Sequence, residues 1–221
     1  MVEGMKSILE VFNSDYEILL LAATEDFLQQ HGERIPRGVE VITPSLVELK
    51  SLGEYQSNDA GLAVVRMKPN QAIKVKNDEF ALMLDDIRDP GNLGTIIRTA
   101  DWYGIHKIIV STESVDVYGG KVISASMGSF TRMQIYYTDL VAYLKQSDLP
   151  VYGTFLDGKN VHAIDFGKRG IIVIGNEANG ISAEVEMFVT ERITIPKFGQ
   201  AESLNAAIAT SVVLDNLRRD N

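Results

Sequence analysis

Apolar and polar residues fall along this chain in short blocks whose period keeps changing. "MVEGMKSILEVF" spaces its apolar residues at helical intervals and predicts a helix over about 4–12. The run "EILLLAA" that follows is short and continuous, as a buried strand should be. Thr24 then stands as an N-cap, its hydroxyl able to accept from a backbone N–H further into a second helix. "VEVIT" predicts a strand, "SLVELKSL" a helix and "GLAVVRM" another strand. The alternation breaks at 66–78, "RMKPNQAIKVKND", a polar stretch with Pro69-Asn70 as its turn signal. Residues 1–76 therefore read as one small α/β unit and residues 77–221 as a second.

In the second unit, strands are expected at "FALMLD", "KIIVS", "QIYY", "PVYGTFL", "GIIVIG" and "RITIP". Helices are expected over 95–103, 119–127, 138–146, 182–188 and 203–218. The strands are continuous apolar runs, which suits a parallel sheet covered on both faces. Such a sheet binds ligands at the carboxyl ends of its strands. Three of those ends are unusual here: "LDDIRDPGNLGTIIRTADWYG", "IIVIGNEANGIS" and "ITIPKFGQAESLNAAIA".

Each has two readings. In the first, a Pro-Gly-Asn turn leads to a helix carrying Arg98, which is either a solvated surface arginine or part of a site with that turn. Gly175 either relieves a sharp turn or admits a close approach of main chain. Ser203 is a plain N-cap or a functional hydroxyl, Asn205 a first-turn polar residue or a ligand contact, and Glu177 a solvated acid or a site acid. The sequence contains neither G-x-G-x-x-G nor G-x-x-x-x-G-K-[ST], so dinucleotide and P-loop nucleotide binding lose their main support.

Composition narrows the chemistry. The 221 residues are 45% hydrophobic and 23% charged, ordinary for a globular protein with a real core. Without Cys there is no disulfide, thiolate nucleophile or Cys-metal site. His31, His106 and His162 are scattered without ligand spacing, so no metal site is expected. No apolar run approaches the roughly 18 residues of a membrane span, and the acidic, amphipathic N-terminus is not a signal peptide. No membrane association and a cytoplasmic location are the resulting expectations. The net charge is −9, with 8 basic and 11 acidic groups in 1–76 (−3) and 13 and 19 in 77–221 (−6). Neither half is basic, so any contact with RNA must run through a local patch.

"DPGNLGTIIRTADWYG", "GNEANGIS" and "IPKFGQAESLNAAIA" resemble, in order and spacing, the three motifs of the SpoU (TrmH-type) RNA 2′-O-ribose methyltransferases of the SPOUT superfamily. The resemblance covers about 78–221. Residues 1–75 look like the small ribosomal-protein-like RNA-binding domain that often precedes that domain. It implies a C-terminal parallel sheet with a trefoil knot, a usual homodimer, and an enzyme that uses S-adenosylmethionine to methylate an RNA ribose 2′-hydroxyl. The separate N-terminal unit tilts the target toward ribosomal RNA. The alternatives are transfer RNA, or a non-catalytic RNA-binding protein with a degenerate domain. Carried over by position, Asn92, Arg98, Glu177, Ser203 and Asn205 match the active-site residues, and Thr154, Gly175, Ile195 and Leu204 the cofactor cradle. Asn92 and Arg98 are expected on the RNA side of the site, facing one crevice from the turn and from a helix that starts near 94–95. "SASMGSFTR" resembles another family segment, but Ser124 stands where an Arg is common, leaving Arg132 as the candidate for a phosphate contact. Small residues in "SLNAAIATSVVLDNL" suit a helix that packs at a dimer interface. "MVEG" matches a family segment that about twenty residues commonly precede, so a basic helix is expected to be encoded before Val2.

Overall fold

The computed structural model describes residues 1–219 and builds two sheets. The first unit runs β1 (Val2–Glu3), α1 (Met5–Phe12), β2 (Ile18–Ala23), α2 (Glu25–His31), β3 (Glu40–Ile42), α3 (Leu46–Leu52) and β4 (Gly61–Val65). Its strand order is β1-β4-β2-β3. β4 pairs antiparallel with β1 and β2, while β3 lies parallel to β2. The caps follow from local chemistry. Thr24 Oγ1 accepts from Phe27 N–H at 3.3 Å. At α3, Ser45 Oγ accepts from Glu48 N–H while the Glu48 carboxylate accepts from Ser45 N–H, a reciprocal capping box.

The second unit contains β5 (Phe80–Leu84), α4 (Pro90–Trp102), β6 (Lys107–Ser111), α5 (Gly120–Ser126), β7 (Gln134–Thr138) and α6 (Leu140–Leu144). It continues with β8 (Val151–Asn160), β9 (Gly170–Ile174), α7 (Ala183–Glu186), β10 (Glu191–Thr194) and α8 (Ala206–Arg218). The sheet order is β10-β8-β9-β5-β6-β7, and every pair is parallel. All five residues of β5 and of β9 are buried, which explains their unbroken apolar runs. Phe80, Leu82 and Leu84 join the core on one face, and Ala81 and Met83 the core on the other.

The first of these cores continues into the smaller unit, where it takes in Val2, Ile8, Val11, Phe27 and Ala63. The polar stretch between the sheets holds neither helix nor strand, but it is anchored. Asn70 Nδ2 donates to Tyr137 O and Asn70 Oδ1 accepts from Tyr137 N–H, both at 2.9 Å. One side-chain amide thus satisfies backbone groups on the edge strand β7.

Two helix starts differ from the sequence reading. α4 begins at Pro90, not near 94–95: Asp89 Oδ1 caps it by accepting from Asn92 N–H at 2.7 Å. Proline suits the first helical position because its missing N–H would have been unpaired there. The Pro-Gly-Asn segment is therefore helix rather than turn. α8 begins at Ala206, with Asn205 rather than Ser203 as its cap.

Candidate active site

Strand order determines which loops meet. From β5 the chain moves outward through β6 and β7, then returns across the sheet to β8. β5 and β9 thus lie side by side where the direction of winding reverses, and ligand crevices form at such switch points. The two strand ends are tied by Asp85, buried, whose Oδ2 accepts from both Ser182 N–H and Ser182 Oγ–H at 2.7 Å. Asn176 Nδ2 donates to Asp86 O at 2.8 Å, while Asn176 Oδ1 accepts from the N–H groups of Ala178 and Asn179. A tight hairpin, with Asn176 bridged to Gly180, follows. Sequence reasoning missed Asp85, Asn176 and Ser182. The acid in a strand-end cluster and the Asn-rich turn were the available signals.

That hairpin presents Glu177 to α4. Asn92, in the first turn of α4, donates through Nδ2 to Glu177 Oε1 at 2.5 Å. Asn92 Oδ1 accepts from Asn205 Nδ2 at 2.8 Å. Asn205 Oδ1 accepts in turn from Ala207 and Ile208 N–H, capping α8. Residues from all three motifs thus form one hydrogen-bonded chain, and each amide is oriented by its neighbour.

Arg98 stands outside this chain. With α4 starting at Pro90, it falls in the third turn, about 120° around the helix from Asn92 and roughly 9 Å along it. The expected placement of both side chains toward one crevice from a first-turn arginine is therefore revised. Arg98 is exposed and makes no side-chain hydrogen bond or ion pair among the described residues. Ser203 is also exposed and makes no hydrogen bond among them.

Beside the amide chain lies a crevice of about 920 Å³. Thr154, Gly175, Ile195 and Leu204 all line it, and Glu177 and Ser203 reach it as well. Asn92, Arg98 and Asn205 do not. The Thr154 hydroxyl is occupied, donating to Val173 O at 3.0 Å. Gly175 has a steric reason: a Cβ there would lie 2.2 Å from the carbonyl carbon of Gly180. The volume suits a nucleoside-sized ligand, and the lining mixes apolar side chains with main chain from two strand ends and the 195–204 loop. This fits the cradle expected for S-adenosylmethionine.

Arg132 is not available for phosphate. Its Nε and Nη2 donate to Asp101 at 2.7–3.1 Å, and its Nη1 to Glu10 at 2.5 Å. The Asp101 hydrogen bond, outweighing burial and joined by Glu10, pushes the guanidinium pKa up. Burial alone would raise the Asp101 pKa, but hydrogen bonds from Arg132 and Ser129 hold it below the usual carboxylate value. Among the described residues, no group of three His, Cys, Asp or Glu could hold a metal ion. No described helix is long and apolar enough to cross a membrane.

Residues 79–215 match the model of the SpoU rRNA Methylase family. The chain is 32% identical over 175 residues to the Bacillus subtilis 23S rRNA (guanosine(2553)-2′-O)-methyltransferase RlmP, covering 73% of this chain and 71% of that one. It is 33% identical over 181 residues to a Streptomyces viridochromogenes 23S rRNA (uridine(2479)-2′-O)-methyltransferase, covering 75% and 62%. The structure of AviRb from Streptomyces viridochromogenes in complex with AdoMet superposes with a TM-score of 0.87 at 27% identity, covering 99% of this chain and 89% of that one. An AdoMet-bound rRNA methyltransferase from Sinorhizobium meliloti gives 0.86 at 30% identity, covering 99% and 86%. With its three motifs joined at the switch point of a parallel sheet, this chain belongs to the SpoU rRNA methylase family.

Proposed function

We propose that this protein transfers a methyl group from S-adenosylmethionine to a ribose 2′-hydroxyl of RNA, with ribosomal RNA the preferred target and transfer RNA the alternative. The observation that carries the reading is the Glu177–Asn92–Asn205 chain beside the crevice. A degenerate, non-catalytic domain would have no reason to keep these two long-range polar contacts in register.

In this reading Thr154, Gly175, Ile195 and Leu204 hold the cofactor, largely through main chain that can meet an adenine edge. Bound there, S-adenosylmethionine supplies an electrophilic methyl group on a sulfonium. The protein's task is to hold the ribose oxygen in line and to take charge and a proton off it. Arg98, exposed and unpaired on the α4 face, grips the phosphate next to the target ribose and stabilises the developing alkoxide. A guanidinium stays protonated in proteins and is a poor proton acceptor, so the proton leaves through that phosphate or water. Glu177 and Asn205 fix the Asn92 amide beside the crevice, and Ser203, which lines it, offers a hydroxyl as a further polar contact.

The N-terminal unit, 1–76, serves as the RNA-binding domain, and residues 77–221 as the methyltransferase domain. We read the return of the chain from edge strand β10 to α8, which packs against α4 and β9, as the family's trefoil knot. The protein is further read as a cytoplasmic homodimer. One face of α8 is buried within the subunit, including Ala206, Val213 and Leu214, while Ile208 stays 53% exposed. On the adjacent α4, Trp102 is 84% exposed, so each helix leaves one large apolar side chain for a second copy to cover. Light scattering at micromolar concentration is expected to give twice the chain mass of 24.4 kDa, and a monomer would refute the dimer.

Activity is tested in two steps. At 100-fold over its dissociation constant, S-adenosylmethionine should raise the melting temperature by about 5–10 °C, whereas NAD and ATP should not. Mapping 2′-O-methylation in a strain lacking the gene should then reveal one lost site, expected in ribosomal RNA. Unchanged methylation with no cofactor shift would discard the reading.

A further inference from the structure

The contacts between the two units are built as a fixed joint. Arg132 sits at its centre, in the turn after α5, with a planar fork already committed to Asp101 of α4. Its remaining arm meets Glu10, on α1 of the small unit, at 2.5 Å. Gly128, at φ +91°, leaves room for this approach: a Cβ there would lie 2.4 Å from Glu10 Cγ. Around the ion pairs, Tyr16 packs edge-on against Phe130 at 5.4 Å, and the Tyr16 and Tyr118 hydroxyls lie 3.4 Å apart. The shared core passes beneath, from Ile8 and Val11 to Val122 and Phe130.

An exposed ion pair is worth little when both side chains must be immobilised to make it. Here Asp101 already holds the guanidinium, so Glu10 meets a cation whose position is set. Asp101 lies three residues beyond Arg98, one helical turn along α4. The joint therefore ends beside the arginine assigned to the RNA phosphate.

We propose that Arg132 is a positioning residue: through Glu10 and Asp101 it holds the N-terminal unit at a fixed distance from Arg98. RNA gripped by that unit is then presented to the methyl-transfer site at one set spacing. A rigid spacer avoids the ordering cost that a tethered domain meets each time RNA binds. This inference rests on the RNA methyltransferase reading above.

The test uses the full chain with Glu10→Gln, which keeps size and removes charge, and Glu10→Arg, which sets two cations against each other. Total RNA from a strain lacking the gene is the substrate. KM for RNA should rise about threefold in Glu10→Gln and at least tenfold in Glu10→Arg. kcat should stay within twofold, and the S-adenosylmethionine dissociation constant should not move. Small-angle scattering should show a larger radius of gyration for Glu10→Arg, a readout independent of activity. Unchanged KM in both variants, a fall in kcat at constant KM, or an unchanged scattering profile would each overturn the joint. If Glu10→Arg does not fold, Glu10→Gln carries the kinetic decision and the scattering comparison. Should the wild type methylate no RNA, the activity reading fails, and scattering alone still decides the joint.

Discussion

Arg98→Ala is expected to lower methyl transfer by about 10²–10³, equivalent to roughly 3–4 kcal/mol of transition-state stabilisation. The residue is exposed, carries no ion pair within the described chain, and does not line the crevice. Its guanidinium has no structural task there, so its removal should leave the melting temperature and circular dichroism unchanged. The affinity for S-adenosylmethionine should stay within a few-fold of wild type, because none of the four cradle positions touches it in sequence or in the crevice. Arg98→Lys should recover little, since an ammonium offers a point charge where the phosphate meets a planar fork. Single-turnover methylation and calorimetry on the same preparations check both halves. A folded Arg98→Ala that no longer binds the cofactor would move Arg98 to the cofactor side and sink the assignment.

Gly175→Ala should act in the opposite way, on binding before chemistry. The added Cβ would sit 2.2 Å from Gly180 C, 2.4 Å from Ile181 N and 2.5 Å from Gly180 O. These are backbone atoms of the hairpin and cannot swing aside as a side chain would. The hairpin must move, at a cost of about 1–3 kcal/mol for overpacking, or roughly 3–10 °C in melting temperature. Glu177 rides on that hairpin and holds Asn92, so both the crevice wall and the amide chain shift together. The thermal shift produced by S-adenosylmethionine should shrink at least in proportion to a tenfold weaker affinity. Gly32→Ala, where a Cβ meets nothing within 4 Å, is the control and should leave stability and cofactor binding alone. Wild-type cofactor affinity in Gly175→Ala would show that the hairpin yields without cost.

The sequence by itself determined much of the local structure. Continuous apolar runs marked the strands, and Thr24 marked a helix start, because capping and burial are decided within a few residues. The order of the three polar strand ends, read as a family resemblance, supplied the candidate residues. Local rules misread α4, taking Pro90-Gly91-Asn92 for a turn when Asp89 was the cap. Proline and glycine signal a break in general, yet proline at the first position starts a helix.

What only the tertiary structure decided was which residues meet. Asn92, Glu177 and Asn205 are separated by 85 and 113 residues in two of their pairings. They come together because β9 lies next to β5, and strand order leaves no trace in hydrophobic period. The same holds for Arg132. As a surface cation it looked free for phosphate, but Glu10 and Asp101 occupy its fork from 122 and 31 residues away. A residue's chemistry can be read from its type. Whether that chemistry is already spent depends on neighbours that folding alone supplies.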